Sequence, residues 1–255
     1  SEADIDFVSQ EKKQIIREVE ALEYTDTDET PADVGGLGAL KQWLNLREQA
    51  FGHEAAAYGL PAPKGVALIG IPGTGKSLTA KMISRLWHLP LLRLDVGALF
   101  GSLVGESEER VRRALSIVEI IAPCILWIDE LEKALSHGGL DAGTSTRVFG
   151  SLLTWMQEKT APVFVVATAN DITALPPELL RRGRFDEVFF LDLPTESERK
   201  EIFEVHILKR KRLPDAYDLQ RLAQASRGYV GSEIEQAVID AMYIGFNDHR
   251  REFTT

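Results

Sequence analysis

With 255 residues and a typical allotment of roughly 150 residues per domain, the chain has room for one large domain, or a large one with a small companion, and for a sizeable buried core. Apolar residues at 44% against 27% charged give the balance of a soluble globular protein, and a formal net charge of −10 argues against nucleic acid as partner, since that affinity comes from clustered Lys and Arg. The longest apolar runs fall well short of the roughly 20 residues a spanning helix needs, which argues against membrane insertion, and the single cysteine, Cys124, excludes an intramolecular disulfide and suits a reducing, cytoplasmic compartment.

In chain order, Ile15, Ile16, Val19 and Leu22 recur at spacings of three and four and predict a helix over 9–23, read as a linker. It leads into TDTDETPADVGG, Thr25 to Gly36, whose composition predicts a loop. A chain that opens on so fragmentary a helix is expected to continue from an upstream domain, so 1–32 is taken as a connecting segment. From Val66 short apolar runs alternate with helical stretches. Strands are predicted at Val66–Ile71, Leu91–Val96, Cys124–Ile128, Val163–Thr168 and Val188–Leu193, and helices include Glu106–Ile121 and Thr144–Glu158. That alternation implies an α/β unit over 33–194, with a parallel sheet covered on both faces. After Pro194 only helices follow. Thr195 with Glu198, and Ser232 with Glu235, fit the S/T-x-x-E capping box, and 195–255 is expected to form a small all-helical lid. The basic run KRKR, Lys209 to Arg212, ends a predicted helix, where positive charge complements the dipole.

Three strand ends carry candidate chemistry. GIPGTGKS, Gly70 to Ser77, satisfies G-x-x-x-x-G-K-[ST] between a predicted strand and the helical LTAKMISRLW. In such a P-loop the backbone amides of a glycine-rich turn and a helix N-terminus cradle phosphate oxygens. The nucleotide-contacting set is therefore Gly70, Ile71, Pro72, Gly73, Thr74, Gly75, Lys76, Ser77 and Leu78, with Lys76 on the β- and γ-phosphates and the Ser77 hydroxyl on Mg²⁺. CILWIDE ends in Asp129 and Glu130. Beside a P-loop, Asp129 belongs in the Mg²⁺ shell and Glu130 is placed to orient and deprotonate water, and neighbours on a strand point to opposite sides, which suits different tasks. PVFVVATAN ends in Asn170, either a turn-forming amide or, as the P-loop favours, a group that holds the lytic water or senses hydrolysis.

The ordered set DVGGL, GIPGTGKS, GESEERVRRAL, CILWIDE, VVATAN, LPPELLRRGRFDE and GYVGSEIEQAV resembles the AAA module of the AAA+ ATPases, part of the P-loop NTPase superfamily, from Asp33 to about Phe246. LPLLRLDVG, TWMQEKTAPVFVVATAN and the lead-in helix are similar, more narrowly, to an AAA family encoded by an open reading frame of algal plastids and cyanobacteria, which would make the plastid stroma the alternative location. The resemblance implies a three-layer P-loop domain with a parallel five-stranded sheet, an extra strand between the P-loop strand and the Asp129 strand, and a helical lid. It implies ATP and Mg²⁺ as ligands. It also implies adenine contacts from Asp33 and Gly35, and adenine or ribose contacts from His206, Gly231 and Ser232. Each has a plainer rival: a loop-shaping pair, a helix-surface imidazole, and residues that only open a helix. Arg181 and Arg184 of LLRRGRFDE match arginines donated to the pocket of an adjacent subunit, whereas Arg182 stands where proline is common. The implied assembly is a homo-oligomer, a hexameric ring with ATP. Leu103 and Val104 stand where protein-threading members carry an aromatic residue, so two functions are carried forward: a ring that remodels or disassembles an unidentified protein substrate, and a regulatory or scaffold module whose assembly state is set by ATP.

Overall fold

The computed structural model describes residues 14–100, 106–133, 142–179, 181 and 183–255. Its regular elements in chain order are β1 (Leu22–Thr25), α1 (Gly38–Asn45), α2 (His53–Tyr58), β2 (Gly65–Gly70), α3 (Lys76–Trp87), β3 (Leu91–Leu94), α4 (Glu106–Ile121), β4 (Cys124–Ile128), α5 (Ala142–Glu158), β5 (Val163–Ala169), β6 (Glu187–Leu191), α6 (Glu196–Lys209), α7 (Leu219–Ala225) and α8 (Gly231–Asn247).

The strands form one sheet in the order β1-β3-β4-β5-β2-β6. The pairs β3·β4, β4·β5, β5·β2 and β2·β6 are parallel. Thus β5 lies between the P-loop strand β2 and the Asp129 strand β4, as the resemblance implies. The sheet has six strands and not five, because β1 pairs antiparallel with β3. Of the helix expected over 9–23, residues 14–17 are helical and 9–13 lie outside the described residues, whereas from 18 the chain turns and then extends into β1; Ile16, Val19 and Leu22 all reach the core. The added strand satisfies an edge of β3 that would otherwise present unpaired backbone groups.

Alternate residues of the central strands enter opposite cores, which makes three layers. Val66 and Leu68 of β2 join α1 and α3 through Leu40, Leu44, Met82 and Trp87. Ala67 and Ile69 join α4 and α5 through Val111, Leu115, Leu152 and Met156. Cys124 is buried, and its thiol donates to the Val118 carbonyl at 3.5 Å. A third core, centred on Phe203, Ile207, Tyr217, Ile234, Val238 and Phe253, belongs to the helices after Pro194. Within that unit the Thr195–Glu198 capping box forms, with Thr195 Oγ1 accepting from the Glu198 amide at 3.3 Å and Glu198 Oε2 accepting from the Thr195 amide at 2.9 Å. The box expected at Ser232 and Glu235 does not. Helix α8 starts earlier, at Gly231, and it is Glu233 that accepts from the Val230 amide at 2.8 Å, because Ser232 is drawn to the P-loop. The basic run at 209–212 is spent in ion pairs and helix capping: Lys209 with Glu29 at 2.9 Å, Arg210 with Glu235 at 2.8 Å and Arg212 with Glu252 at 3.0 Å.

Phe164 of β5 anchors the α1/α3 side, with its ring 4.6 Å from Trp87, 6.4 Å from Trp43 and 6.5 Å from Phe51. Phe164→Ala should lower unfolding stability by about 3–5 kcal/mol, read from the urea midpoint at unchanged m-value, because close-packed aromatics on three sides cannot collapse into the cavity.

Candidate functional site

The C-terminal ends of β2, β4, β5 and β6 meet at one cavity of about 810 Å³, the position at which open α/β sheets bind ligands. The glycine-rich turn leaves β2 and enters α3 through Gly75, in the left-handed region at φ +92, so that the first intrahelical amide bond is made only by Thr79, to Gly75 O at 2.8 Å. The amides before it are free of the helix ladder, and the dipole adds positive potential at the same end. Lys76 turns back along the loop, and its Nζ donates to the carbonyls of Gly70 at 2.5 Å and Ile71 at 2.8 Å. Gly70 and Ile71 therefore act as the root of the loop, while Pro72 to Leu78 line the cavity. Burial pushes the Lys76 ammonium below its ordinary pKa, and Glu132, Asp129 and Glu130 pull it back.

The carboxylates at the end of β4 are joined through Thr168, which is fully buried in β5. Thr168 Oγ1 donates to Asp129 Oδ1 at 2.7 Å and accepts from the Glu130 amide at 2.9 Å, and the Thr168 carbonyl accepts from the Leu131 amide at 2.9 Å. Asp129 Oδ1 also lies 3.5 Å from Ser77 Oγ. These two hard oxygen donors, side by side at the phosphate end of the cavity, fit Mg²⁺, which takes one or two protein oxygens and completes its shell with phosphate and water. Glu130 sits at φ +49, a backbone conformation that costs a non-glycine residue on the order of 1–3 kcal/mol and that the Thr168 bond helps to hold. Its carboxylate is bonded to Lys133 and accepts from Asn170 Nδ2 at 3.1 Å, and Lys133, the larger influence, holds its pKa below the usual value. Asn170 is fixed in turn by its amide, which donates to Glu132 Oε1 at 3.0 Å.

The lid closes the other side. Gly73 is at φ +85, and a Cβ there would stand 2.3 Å from Ser232 Oγ, so only glycine lets the P-loop pass this closely beneath α8. The Ser232 amide donates to Gly73 O at 3.2 Å. Gly35 touches Ile202 of α6 so tightly that a Cβ would fall 2.7 Å from its backbone nitrogen, and Glu201 accepts from the Gly36 amide at 2.9 Å. Asp33, Gly35, His206, Gly231 and Ser232 all line the cavity, though the Asp33 carboxylate is already occupied by Thr30, at 2.8 and 2.6 Å. Sequence reasoning missed Thr168, which reads as an ordinary β-former, and Phe190, whose exposed ring lines the cavity wall.

Arg181 and Arg184 do not line this cavity. Asp186 pins their segment to the other end of β2: its Oδ2 accepts from the Lys64 and Gly65 amides at 2.6 and 2.9 Å, and its amide donates to Gly65 O at 2.8 Å. Lys64 Nζ adds a bond to Gly183 O at 2.8 Å. The length of β2, roughly 16 Å at about 3.3 Å per residue, then separates the arginine segment from the P-loop of its own chain. Arg182, Leu103 and Val104 lie outside the described residues.

The family model of the ATPase family associated with various cellular activities (AAA) matches residues 66–193, a stretch that contains the phosphate loop, both β4 carboxylates, Thr168 and Asn170. The chain belongs to the AAA ATPase family. It is similar to the uncharacterized AAA domain-containing protein ycf46 of Trieres chinensis, 53% identical over 100% of this chain and 52% of the relative. It is similar to the cell division cycle protein 48 homolog of Archaeoglobus fulgidus, 33% identical over 82% of this chain and 29% of the relative. With the proteasome-activating nucleotidase of Saccharolobus solfataricus it shares 30% identity over 98% of this chain and 65% of the relative. The chain spans about half the length of the ycf46 relatives it matches. Among the described residues of this AAA ATPase, no helix is long and apolar enough to cross a membrane.

His206 gives this AAA ATPase site a measurable pH response. Burial holds its pKa below the ordinary 6.5, against the opposing pull of Glu235, whose Oε1 lies 3.5 Å from Nδ1. A depressed folded-state pKa means that the unfolded chain binds the proton more readily, so the contribution is complete above 6.5 and is lost as pH falls from there towards the folded value. Melting curves between about pH 7.5 and about pH 5.5 should show Tm falling by a few degrees, at about 2–4 °C per kcal/mol, and His206→Gln should flatten that limb. The depressed carboxyls Asp33, Glu198 and Glu235 act lower, below 3.8 and 4.5, and leave the window clear.

Proposed function

We propose that this chain is the motor module of a ring that hydrolyses ATP with Mg²⁺ and uses the cycle to remodel or disassemble a protein partner. The observation that carries the hydrolytic part is the bonded chain Ser77, Asp129, Thr168, Glu130 and Asn170, which brings three strand ends to one cavity. The phosphates of ATP lie against the free amides of the P-loop, and Lys76 holds the β- and γ-phosphates. When bound, Mg²⁺ supplies charge neutralisation to those phosphates, with Ser77 and Asp129 as its protein oxygens. Asn170 and Glu130 hold a water in line with the γ-phosphorus. The water oxygen attacks phosphorus, the bond to the ADP oxygen breaks with its electrons leaving on ADP, and the proton goes to Glu130. Adenine and ribose lie between Asp33 and Gly35 on one side and His206, Gly231 and Ser232 on the other. The working units are the α/β body, 33–194, and the lid, 195–255, and the setting is the cytoplasm or a plastid stroma.

Assembly follows from the arginine segment. Held at the far end of β2, Arg181 and Arg184 serve the γ-phosphate of the adjacent subunit, where a guanidinium is worth about 10³–10⁵ in rate, so a hexameric ring completes each pocket. The name of one similar protein, a proteasome-activating nucleotidase, supports work on protein over work on nucleic acid.

The roles within the pocket separate by substitution. Lys76→Ala should lose ATP binding in a calorimetric titration, whereas Glu130→Gln, which keeps shape and charge-free hydrogen bonding but no base, should bind ATP and turn it over at least about 10²-fold more slowly. Equal loss of affinity in both would refute the separation.

The ring is tested by mixing. Lys76→Ala subunits carry a dead pocket and intact arginines, and Arg181→Ala/Arg184→Ala subunits carry the reverse, so each alone should be nearly inactive. Once light scattering shows mixed oligomers, partial ATPase activity should return. An arginine double variant that hydrolyses ATP normally within a verified ring would refute donation between subunits.

A further inference from the structure

Arg93, in the middle of β3, has no part in the scheme above, yet it faces two acids. Its Nη2 lies 3.6 Å from Asp129 Oδ2, and its Nη1 lies 3.7 Å from Glu23 Oε2, on β1. The geometry is built in. Glu23 is the direct cross-strand partner of Arg93 in the β1·β3 register, and Trp127 is its partner in β4, with the guanidinium 5.1 Å over the indole. Such stacking fixes the plane of the fork while leaving its edges free for carboxylates. The two oxygens of Asp129 are thereby divided: Oδ1 takes the Thr168 hydroxyl and faces Ser77, and Oδ2 faces Arg93.

A cation at Ser77 and the guanidinium of Arg93 draw on the same carboxylate, so each weakens the hold of the other. Glu23, 67% exposed in its side chain, is the alternative acceptor within reach of the same fork. We propose that Arg93 is a positioning residue that competes with Mg²⁺ for Asp129 and shifts towards Glu23 when the metal binds, so that the lead-in strand β1 sets how readily the ATPase site takes its metal. This rests on Asp129 being a metal ligand, as proposed above. It gives β1 a purpose beyond covering a sheet edge: whatever displaces β1 or neutralises Glu23 alters the metal requirement of a site on another strand.

The test uses equilibrium binding of a methylanthraniloyl ATP to the full chain, titrated with MgCl₂ and repeated in EDTA. Arg93→Gln should lower the half-saturating Mg²⁺ by about two- to fivefold, the range for exposed pairs, and leave affinity in EDTA unchanged. Glu23→Gln should raise the half-saturating Mg²⁺ by about twofold, and should have no effect once Arg93 is already Gln, which makes the coupling measurable as a double-mutant cycle. A general loosening of the sheet would instead weaken binding in EDTA as well and move both substitutions the same way. An unchanged or raised Mg²⁺ requirement in Arg93→Gln, or a Glu23→Gln effect that persists in its presence, overturns the proposal. Should Arg93→Gln fail to fold, Arg93→Lys decides: a compact ammonium keeps the charge but cannot bridge two acids, so the Mg²⁺ requirement should stay near that of the parent and should not respond to Glu23→Gln. Asp129→Asn separates the two ideas, because if it leaves the Mg²⁺ dependence intact, the metal-ligand reading fails with everything built on it.

Discussion

A buried ammonium has to stay charged at the centre of this molecule. Lys76 is 7% exposed, and burial pushes its pKa below the ordinary lysine value. Two carbonyls of its own loop take its hydrogens, and three acids at the end of β4 supply the opposing charge. Those acids then need holding in turn, since three carboxylates on neighbouring positions repel one another. Thr168 and Arg93 restrain Asp129, Lys133 and Asn170 restrain Glu130, and the Asn170 amide restrains Glu132. The polar network around the cavity is thus a consequence of one desolvated charge, and each member is specified by the one before it.

Strand order makes that network possible. Because β5 is inserted between β2 and β4, a threonine near its end stands between the phosphate loop on one side and the two acids on the other. With β4 directly beside β2, Asp129 and Glu130 would crowd the loop and no backbone would remain to bring in Thr168 or Asn170. The same topology places β6, and with it the arginine segment, on the opposite flank of β2. A chain folded in this way presents its phosphate loop at one end of the sheet and its basic segment at the other.

Much of this was readable from sequence wherever the signal was local. GIPGTGKS, CILWIDE and VVATAN mark strand ends by residue type and order, and the strands themselves are short apolar runs whose limits fall within two residues of those observed. What escaped depends on pairing over distance. Glu23 and Arg93 are ordinary charged residues until β1 lies against β3, and Thr168 is an ordinary β-branched residue until β4 lies beside it. Ile16, Val19 and Leu22 satisfy a helical period, but a buried stripe and a partly extended segment can bury the same side chains, and the open edge of β3 decided between them. Ser232 had the chemistry of a cap. The close passage of Gly73 gave it a different neighbour, and the helix began one residue before it.

The nucleotide cavity is bounded by two separate cores, the sheet with its helices and the lid with its own cluster. Direct contacts join them at the site: Ser232 to Gly73, Gly36 to Glu201, Leu37 to Glu198 at 3.4 Å, and the tight contact of Gly35 with Ile202. Gly35, Gly36, Leu37 and Gly73 on one side and Glu198, Ile202 and Ser232 on the other line the cavity, so a ligand that fills it touches both bodies near the points where they already meet. The P-loop therefore meets the lid directly, through Gly73 and α8, and not by a path through the packed interior. The β1 edge offers a second contact of the same kind, because Arg93 joins the Asp129 carboxylate to the strand that leads into the domain. The site is in this way linked to two parts of one small module, the lid and the β1 edge, by contacts that lie outside the hydrophobic cores.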